Sequence, residues 1–375
     1  MKIATVEALP VRLPFVQAGP PIVMFGRPWT AFELVLVRIE TDQGIVGYGE
    51  TPWGPWRPLQ ALIDDFIAPA LIGRPADNIA GLMHELQRLT HVIGRYGLTM
   101  FALSGVDTAL WDIAGKAAGQ PLARMLGGSV RPVAGYESLW VSYKRSGAWD
   151  WESADRDVLT ERARAAIAAG YRHVKLHGTT EADLRAVRDA VGDDVGIMVD
   201  ASCRWSLNEA RQAAARLRPF GLYWLEEPVF PPEDFHSLAR LQAESGIPIA
   251  AGENACTAFE FAAMFAADAV AFAQPNVNRV GGITEFRKVA ALAETSGVAL
   301  NPHSFFFGPG FLATLHLVAA QARPALVEKP GIPLEVGLYG GATDPINGQF
   351  HPPDGPGLGR DPDPDVLRDC RIRGA

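Results

Sequence analysis

Cysteine is scarce in this chain: Cys203, Cys256 and Cys370 are the only three in 375 residues. They are too few and too scattered for a disulfide framework or a thiolate zinc site, which fits a reducing cytoplasm. Long apolar runs are missing as well. No uninterrupted apolar segment approaches the length of a membrane span, and Glu7 and Pro10 fall inside what would have to be the apolar stretch of a signal peptide. A cytoplasmic protein without a membrane partner is therefore expected. Positive charge is in deficit, with 34 Lys and Arg against 42 Asp and Glu, a net charge of -8 and no long basic run. That composition gives no reason to expect a nucleic-acid partner. A protein of this charge acting on an anion needs a local positive site. What the chain does have is mass and apolar content: 48% hydrophobic residues, enough for a large core in two domains or in one barrel with additions.

The first part of the chain differs from the rest. Residues 1–13 and 31–50 alternate in polarity around a DQG turn and predict an antiparallel sheet. Residues 57–92 and 99–118 predict helices, the second with a strong apolar stripe, so this part reads as α+β. From about residue 131 a short apolar strand, a loop and an Ala-rich helix recur. The predicted strands are 133–140, 173–178, 196–201, 222–227, 247–253, 269–275, 298–303 and 325–329. Eight strands alternating with helices argue for an α/β barrel over an open sheet. From about 345 the sequence is rich in Pro, Gly and Asp, an irregular wrap expected to return to the first domain. The expected divisions are 1–125, 126–345 and 346–375.

Three carboxylates stand just past short apolar runs, about one strand-plus-helix unit apart: Asp200 in GIMVDAS, Glu226 in YWLEEP and Glu253 in IPIAAGEN. Any one of them could simply begin a loop. Three at the same place in successive units would converge on the carboxyl end of a parallel barrel, and oxygen-only ligands of that kind suit Mg²⁺. In YRHVKLHG, Lys175 and His177 are two apart and share one side of a strand, the barrel interior. His173 lies two residues deeper and reads as a core histidine. A lysine inside a barrel is costly to bury without charged partners, so Lys175 reads as a functional ammonium near the carboxylates. His303 and Glu328 end the seventh and eighth strands on the same rim, as candidates for proton transfer and for hydrogen bonding to substrate.

In combination, ALSGVDTALWDIAGKAAGQPL, Lys175, Asp200, Glu226 in WLEEP, Glu253, the GG of NRVGGITEF and His303 resemble the enolase superfamily, mandelate racemase subgroup, over essentially the whole chain. The resemblance implies a capping domain over a modified (β/α)₇β barrel, completed by the C-terminal segment. It also implies Mg²⁺ on Asp200, Glu226 and Glu253, and removal of a proton α to a carboxylate. Lys175 would contact the metal-bound carboxylate, residue 177 would be the base on one face, and His303 would act from the other. Glu328 would hydrogen-bond an enediolate oxygen in its protonated form. Three positions depart from the family pattern. His177 replaces a second lysine, with an ordinary pKa of about 6.5. Asn276 replaces the aspartate that pairs with the strand-seven histidine, so His303 is expected to be less basic. Ser202 replaces an asparagine near the substrate carboxylate.

A racemase needs two comparable bases, and Asn276 weakens one. The leading expectation is a Mg²⁺-dependent dehydratase, a hydro-lyase that converts a sugar acid to its 2-keto-3-deoxy acid, with His177 abstracting the α-proton and His303 serving the leaving hydroxyl. A racemase, epimerase or lactone cycloisomerase on the same enediolate chemistry is the alternative, and a catalytically silent metal-binding barrel stands behind both. By resemblance the pocket lid comes from residues 18–29 and 50–57, where Met24, Phe25, Trp53 and Trp56 mix with Arg27 and Arg57. These either hold substrate or pack between domains, and the same two readings stand for Arg204 and Lys329. The family's habit of assembly implies a homo-oligomer, a dimer or octamer.

Overall fold

The structure, a computed structural model, describes residues 1–16, 22–24, 26–139, 141, 143–145 and 151–373. The alternating N-terminal segments pair as an antiparallel sheet of β1 (Ile3–Pro14), β2 (Ala31–Thr41) and β3 (Val46–Glu50). At the DQG turn Gly44 has a φ of 76° and donates its N–H to Thr41 O at 3.0 Å, a left-handed conformation that glycine adopts without steric penalty. The helix predicted over 57–92 is interrupted. Helical turns run from 56 to 71, the chain breaks at Gly73 and Pro75, and α1 (Ile79–Thr90) begins after Asn78, whose side chain caps it. Then α2 (Leu98–Ala118) lies across the sheet, so close at Gly49 that a β-carbon there would meet the Gly105 carbonyl.

Eight parallel strands follow: β4 (Val133–Ser138), β5 (His173–Leu176), β6 (Gly196–Asp200), β7 (Trp224–Glu226), β8 (Ile249–Ala251), β9 (Phe272–Ala273), β10 (Ala299–Leu300) and β11 (Val327–Pro330). They lie side by side in the order β10-β9-β8-β7-β6-β5-β4-β11. Side chains bridge the two end strands. Asn301 Oδ1 accepts from Leu326 N at 2.6 Å, and Ser304 Oγ donates to Glu328 O at 2.9 Å. Each strand but the last leads to a helix: α3 (Arg156–Ala168), α4 (Glu181–Val191), α5 (Leu207–Leu217), α6 (Phe235–Ser245), α7 (Ala258–Ala266), α8 (Gly282–Ser296) and α9 (Pro309–Ala319). This is the (β/α)₇β form. Several loops end on a capping side chain: Thr180, Ser206, Asp234 and Thr257 each accept from a backbone N–H of the next helix, and Ser206 with Glu209 forms a full capping box. Such caps fix where each loop stops, and so where the rim residues stand. Tyr136, Met198, Trp224 and Ala250 fill the barrel interior below the rim, all fully buried.

The recognisable stretch ALSGVDTALWDIAGK lies in α2, and its polar residues dock the cap on the barrel. Ser104 Oγ accepts from Gly281 N and Asp107 Oδ2 from Thr284 N, both at 2.9 Å, which satisfies backbone donors at the start of α8. Trp111 Nε1 donates to Thr284 Oγ1 at 2.9 Å, and Asp112 Oδ1 accepts from Leu358 N at 2.8 Å. Burial pushes the Asp107 carboxyl up to about 7, above what its hydrogen-bond donors pull back. Near the C-terminus, Gln349–Phe350 pairs antiparallel with β4, and Ile372 N donates to Pro10 O at 2.9 Å on β1. Among the described residues no helix is long and apolar enough to cross a membrane.

Candidate active site

Parallel pairing brings the rim together. Asp200 and Glu226 are register partners at the ends of β6 and β7, Lys175 pairs with Ser138 and Met198, and Glu328 pairs with Tyr136. Lys175, only 1% exposed, lies 2.7 Å from Glu226 Oε1, 2.8 Å from Glu328 Oε1 and 3.8 Å from Asp200 Oδ2. Burial alone would strip its proton, but Glu226 and Glu328 outweigh burial and hold the ammonium charged well above its ordinary pKa. The same ammonium holds Glu328 below the usual carboxylate range in spite of burial. The resemblance implied a protonated Glu328, whereas the neighbouring Lys175 and His303 favour its ionised form.

His177 Nε2 stands 3.4 Å from Asp200 Oδ2. Burial, then Lys175, pushes its pKa down to about 4, so the ring is neutral and able to take a proton. Across the cavity, His303 Nε2 lies 2.9 Å from Glu253 Oε2 and 3.7 Å from Glu328 Oε2, while its Nδ1 lies 2.8 Å from Asn276 Nδ2. Burial works against charge at His303, but Glu253 and Glu328 raise its pKa above the ordinary value. The expectation of a less basic His303 considered residue 276 alone. Glu253, also 3.3 Å from Arg279 Nη1, is held below the usual carboxylate range by His303 and Arg279 against its burial.

The backbone around Asp200 is strained: Ser202, Cys203 and Glu227 have φ of 50°, 54° and 41°, in the left-handed region that L-residues enter at a cost of about 1–3 kcal/mol each. The conformation aims Ser202 N at Asp200 Oδ1, 2.7 Å away, with Ser202 Oγ at 3.3 Å.

These groups line a cavity of about 520 Å³. Lys175, His177, Asp200, Glu253, His303 and Glu328 form its polar side, with Ser202 and Arg204 beside them. Arg204 donates from Nη1 to Thr179 Oγ1 at 2.9 Å. The other side is apolar: Met24, Trp29 and Trp53 of the cap face Phe305 of the barrel, with Trp29 and Trp53 stacked at 5.0 Å between ring centroids. Glu226 sits just beneath, wholly buried, accepting from Trp224 Nε1 at 2.9 Å. Asn276 is also beneath, 1% exposed, behind His303.

Several residues proposed from the sequence stand elsewhere. Arg27 is exposed and Trp56 is packed in the cap's own core, neither on the cavity wall, and Arg57 covers the Trp56 ring at 5.1 Å. Lys329 follows Glu328 on a strand, so it points the opposite way, toward Glu137 behind the barrel. Phe25 lies outside the described residues. His173 packs edge-on to Tyr223 at 4.6 Å, away from the cavity. Sequence reasoning missed Arg279, Asn254, Cys203, Trp29 and Phe305. Arg279 carried a signal, a cation within the quoted NRVGG turn; the others come together only through folding.

Three carboxylates on neighbouring paired strands are hard oxygen donors of the kind Mg²⁺ takes. Burial raises Asp200, and the nearby charges of Glu253 and Glu328 raise it further, which is the repulsion a bound cation would relieve. As the side chains stand, no three His, Cys, Asp or Glu among the described residues gather closely enough to hold an ion, with Glu226 drawn to Lys175 and Glu253 to His303 and Arg279. The set fits a divalent cation in donor type, charge and place on the rim.

A cap closing over a barrel rim of buried acids and bases is the construction of an acid–base enzyme, and the comparisons say which kind. Residues 10–127 match the mandelate racemase / muconate lactonizing enzyme N-terminal domain, and residues 158–366 the enolase C-terminal domain-like family. The chain belongs to the mandelate racemase / muconate lactonizing enzyme group of the enolase superfamily, among its lyases and isomerases. It is 34% identical to arabinonate dehydratase of Saccharolobus solfataricus over 336 residues, 87% of each chain. It is also 34% identical to D-galactarolactone cycloisomerase of Agrobacterium fabrum over 352 residues, 90% of this chain and 91% of that one. The crystal structure of L-talarate dehydratase from Polaromonas sp. JS666, complexed with Mg and L-glucarate, superposes with a TM-score of 0.85 at 31% identity, covering 99% of this chain and 98% of that one.

Proposed function

We propose that the protein removes the proton α to the carboxylate of a small sugar acid and expels the β-hydroxyl, giving a 2-keto-3-deoxy acid. The observation that carries this reading is one cavity with a neutral histidine on one side, His177 beside Lys175, and a second histidine, His303, on the other, above three carboxylates. Asp200, Glu226 and Glu253 would hold Mg²⁺, which when bound supplies a Lewis acid to offset the second negative charge that the enediolate places on the substrate carboxylate. Lys175 supplies a fixed ammonium for the same developing charge. His177 receives the α-proton. His303 presents Nε2 from the far side toward the departing oxygen. Arg204, with Thr179 behind it, stands where a distal hydroxyl or carboxylate would be bound.

A second reading is favoured by the apolar wall. Trp29, Trp53 and Phe305 form an aromatic wall against which a lactone or anhydro ring would pack, and cycloisomerisation would use the same α-proton chemistry. Purified protein with Mg²⁺ should be incubated with sugar mono- and diacids and with their lactones, following keto-acid carbonyl formation and the C3 methylene by proton NMR. A new methylene from an open-chain acid supports dehydration. Turnover of lactones alone would replace it with cycloisomerisation, and turnover of neither would remove the reading.

A further inference from the structure

Asn276 stands between two partners whose chemistry fixes its orientation. Its Oδ1 lies 2.9 Å from the backbone N–H of Asn278, and its Nδ2 lies 2.8 Å from Nδ1 of His303. A backbone N–H can only donate, so the amide oxygen must face it, and the end facing the histidine is the NH₂, which also only donates. Reversing the amide would set two donors against each other at a site 1% exposed and leave both unsatisfied. Nδ1 of His303 must therefore accept, and the neutral ring carries its proton on Nε2. That is the nitrogen turned to the cavity, toward Glu253 and Glu328.

We propose that Asn276 is a positioning residue that holds His303 as an Nε2–H donor, so that this side of the cavity offers a hydrogen bond and α-proton abstraction is confined to the His177 side. For His303 to act as a base, Nε2 would need its lone pair and the proton would have to sit on Nδ1, directly against the Asn276 NH₂. An aspartate at 276 would reverse the situation, accepting from Nδ1–H and freeing Nε2. The side chain at 276 thus selects between one-sided chemistry, suited to elimination or ring rearrangement, and the two-sided exchange that racemisation requires. The consequence for the reaction rests on the proposed function, whereas the tautomer does not.

The test uses the intact protein labelled with ¹⁵N in histidine. Long-range ¹H–¹⁵N correlation spectra, recorded on the alkaline side of the His303 titration so that the ring is neutral, report the tautomer, with His303 assigned by the signals lost in His303→Asn. The expected result is an unprotonated Nδ1 with Nε2–H in the natural protein, and a shift of the proton to Nδ1 in Asn276→Asp. In substrate recovered from D₂O before turnover is complete, the natural protein should have placed deuterium at the α-carbon in one configuration only, and Asn276→Asp should gain exchange into the second. An Nδ1–H tautomer in the natural protein, or exchange into both configurations, overturns the inference even if the enzyme dehydrates sugar acids. An Nε2–H tautomer in a protein that turns over no sugar acid upholds the tautomer assignment and sinks the functional reading.

Discussion

Glu50 ends β3 and is wholly buried where the cap meets the barrel. Its Oε1 accepts from Asn278 Nδ2 at 2.9 Å and its Oε2 from Gly310 N at 3.3 Å, at the start of α9. Burial pushes its carboxyl up to about 8, further than the Gly310, Asn278 and Gly308 donors pull it down. The folded protein thus keeps a proton that the unfolded chain, with an ordinary value of 4.5, has already lost. Across that window the folded state binds more protons, so stability falls as pH rises, and the loss is complete above about pH 8. One pKa unit is worth about 1.4 kcal/mol, so the stretch from pH 7 to the titration at about 8 removes about 1.4 kcal/mol between pH 7 and pH 9. Glu50→Gln abolishes the titration. After rotation of the Asn278 amide, the new NH₂ can donate to Asn278 Oδ1, an atom without a hydrogen-bond partner as the structure stands. Urea unfolding of both proteins at pH 7 and pH 9 should show the natural protein losing about 1.4 kcal/mol more than the variant. Other titrating groups, Asp107 among them, contribute to both and cancel. Parallel pH profiles would refute the reasoning.

Lys175→Met should lower unfolding free energy by about 3–5 kcal/mol in urea, since it leaves Glu226 and Glu328 buried without their cation; an unchanged midpoint would mean that the ion pairs are not formed. Gly308→Ala places a methyl group onto Glu50 Oε2 and should cost about 1–3 kcal/mol, and the same substitution should cost much less when made in a Glu50→Ala background. Mg²⁺ at about 100 times its dissociation constant should stabilise the protein by about 2.7 kcal/mol, and Asp200→Asn should abolish that gain in the same melting experiment.

The barrel was legible because strand-end acids recur in step with the chain, and the helices because caps such as Ser206 with Glu209 mark their starts. Strand lengths were less so. The segment 269–275 contributes only Phe272–Ala273, since the backbone leaves the ladder early and carries Gln274 to Asn276 into the site on irregular chain. His303 likewise stands three residues past Leu300, the last residue of β10. Period two sets the direction of both lysines: Lys175 points inward, and Lys329, next to inward Glu328, points out, which leaves only the packing reading for Lys329. The charge state of Glu328 depends on an ion pair across 153 residues, 328 minus 175, which no local pattern reveals. The aromatic wall is similarly hidden, because Trp29, Trp53 and Phe305 arrive from three separate segments.

The most direct test of the central claim, abstraction of an α-proton by His177, is deuterium incorporation from D₂O measured by proton NMR on a turned-over sugar acid with Mg²⁺. The natural protein should exchange or lose the α-proton. His177→Asn should lose both exchange and product formation while still gaining thermal stability from Mg²⁺. Undiminished exchange in His177→Asn would contradict the account.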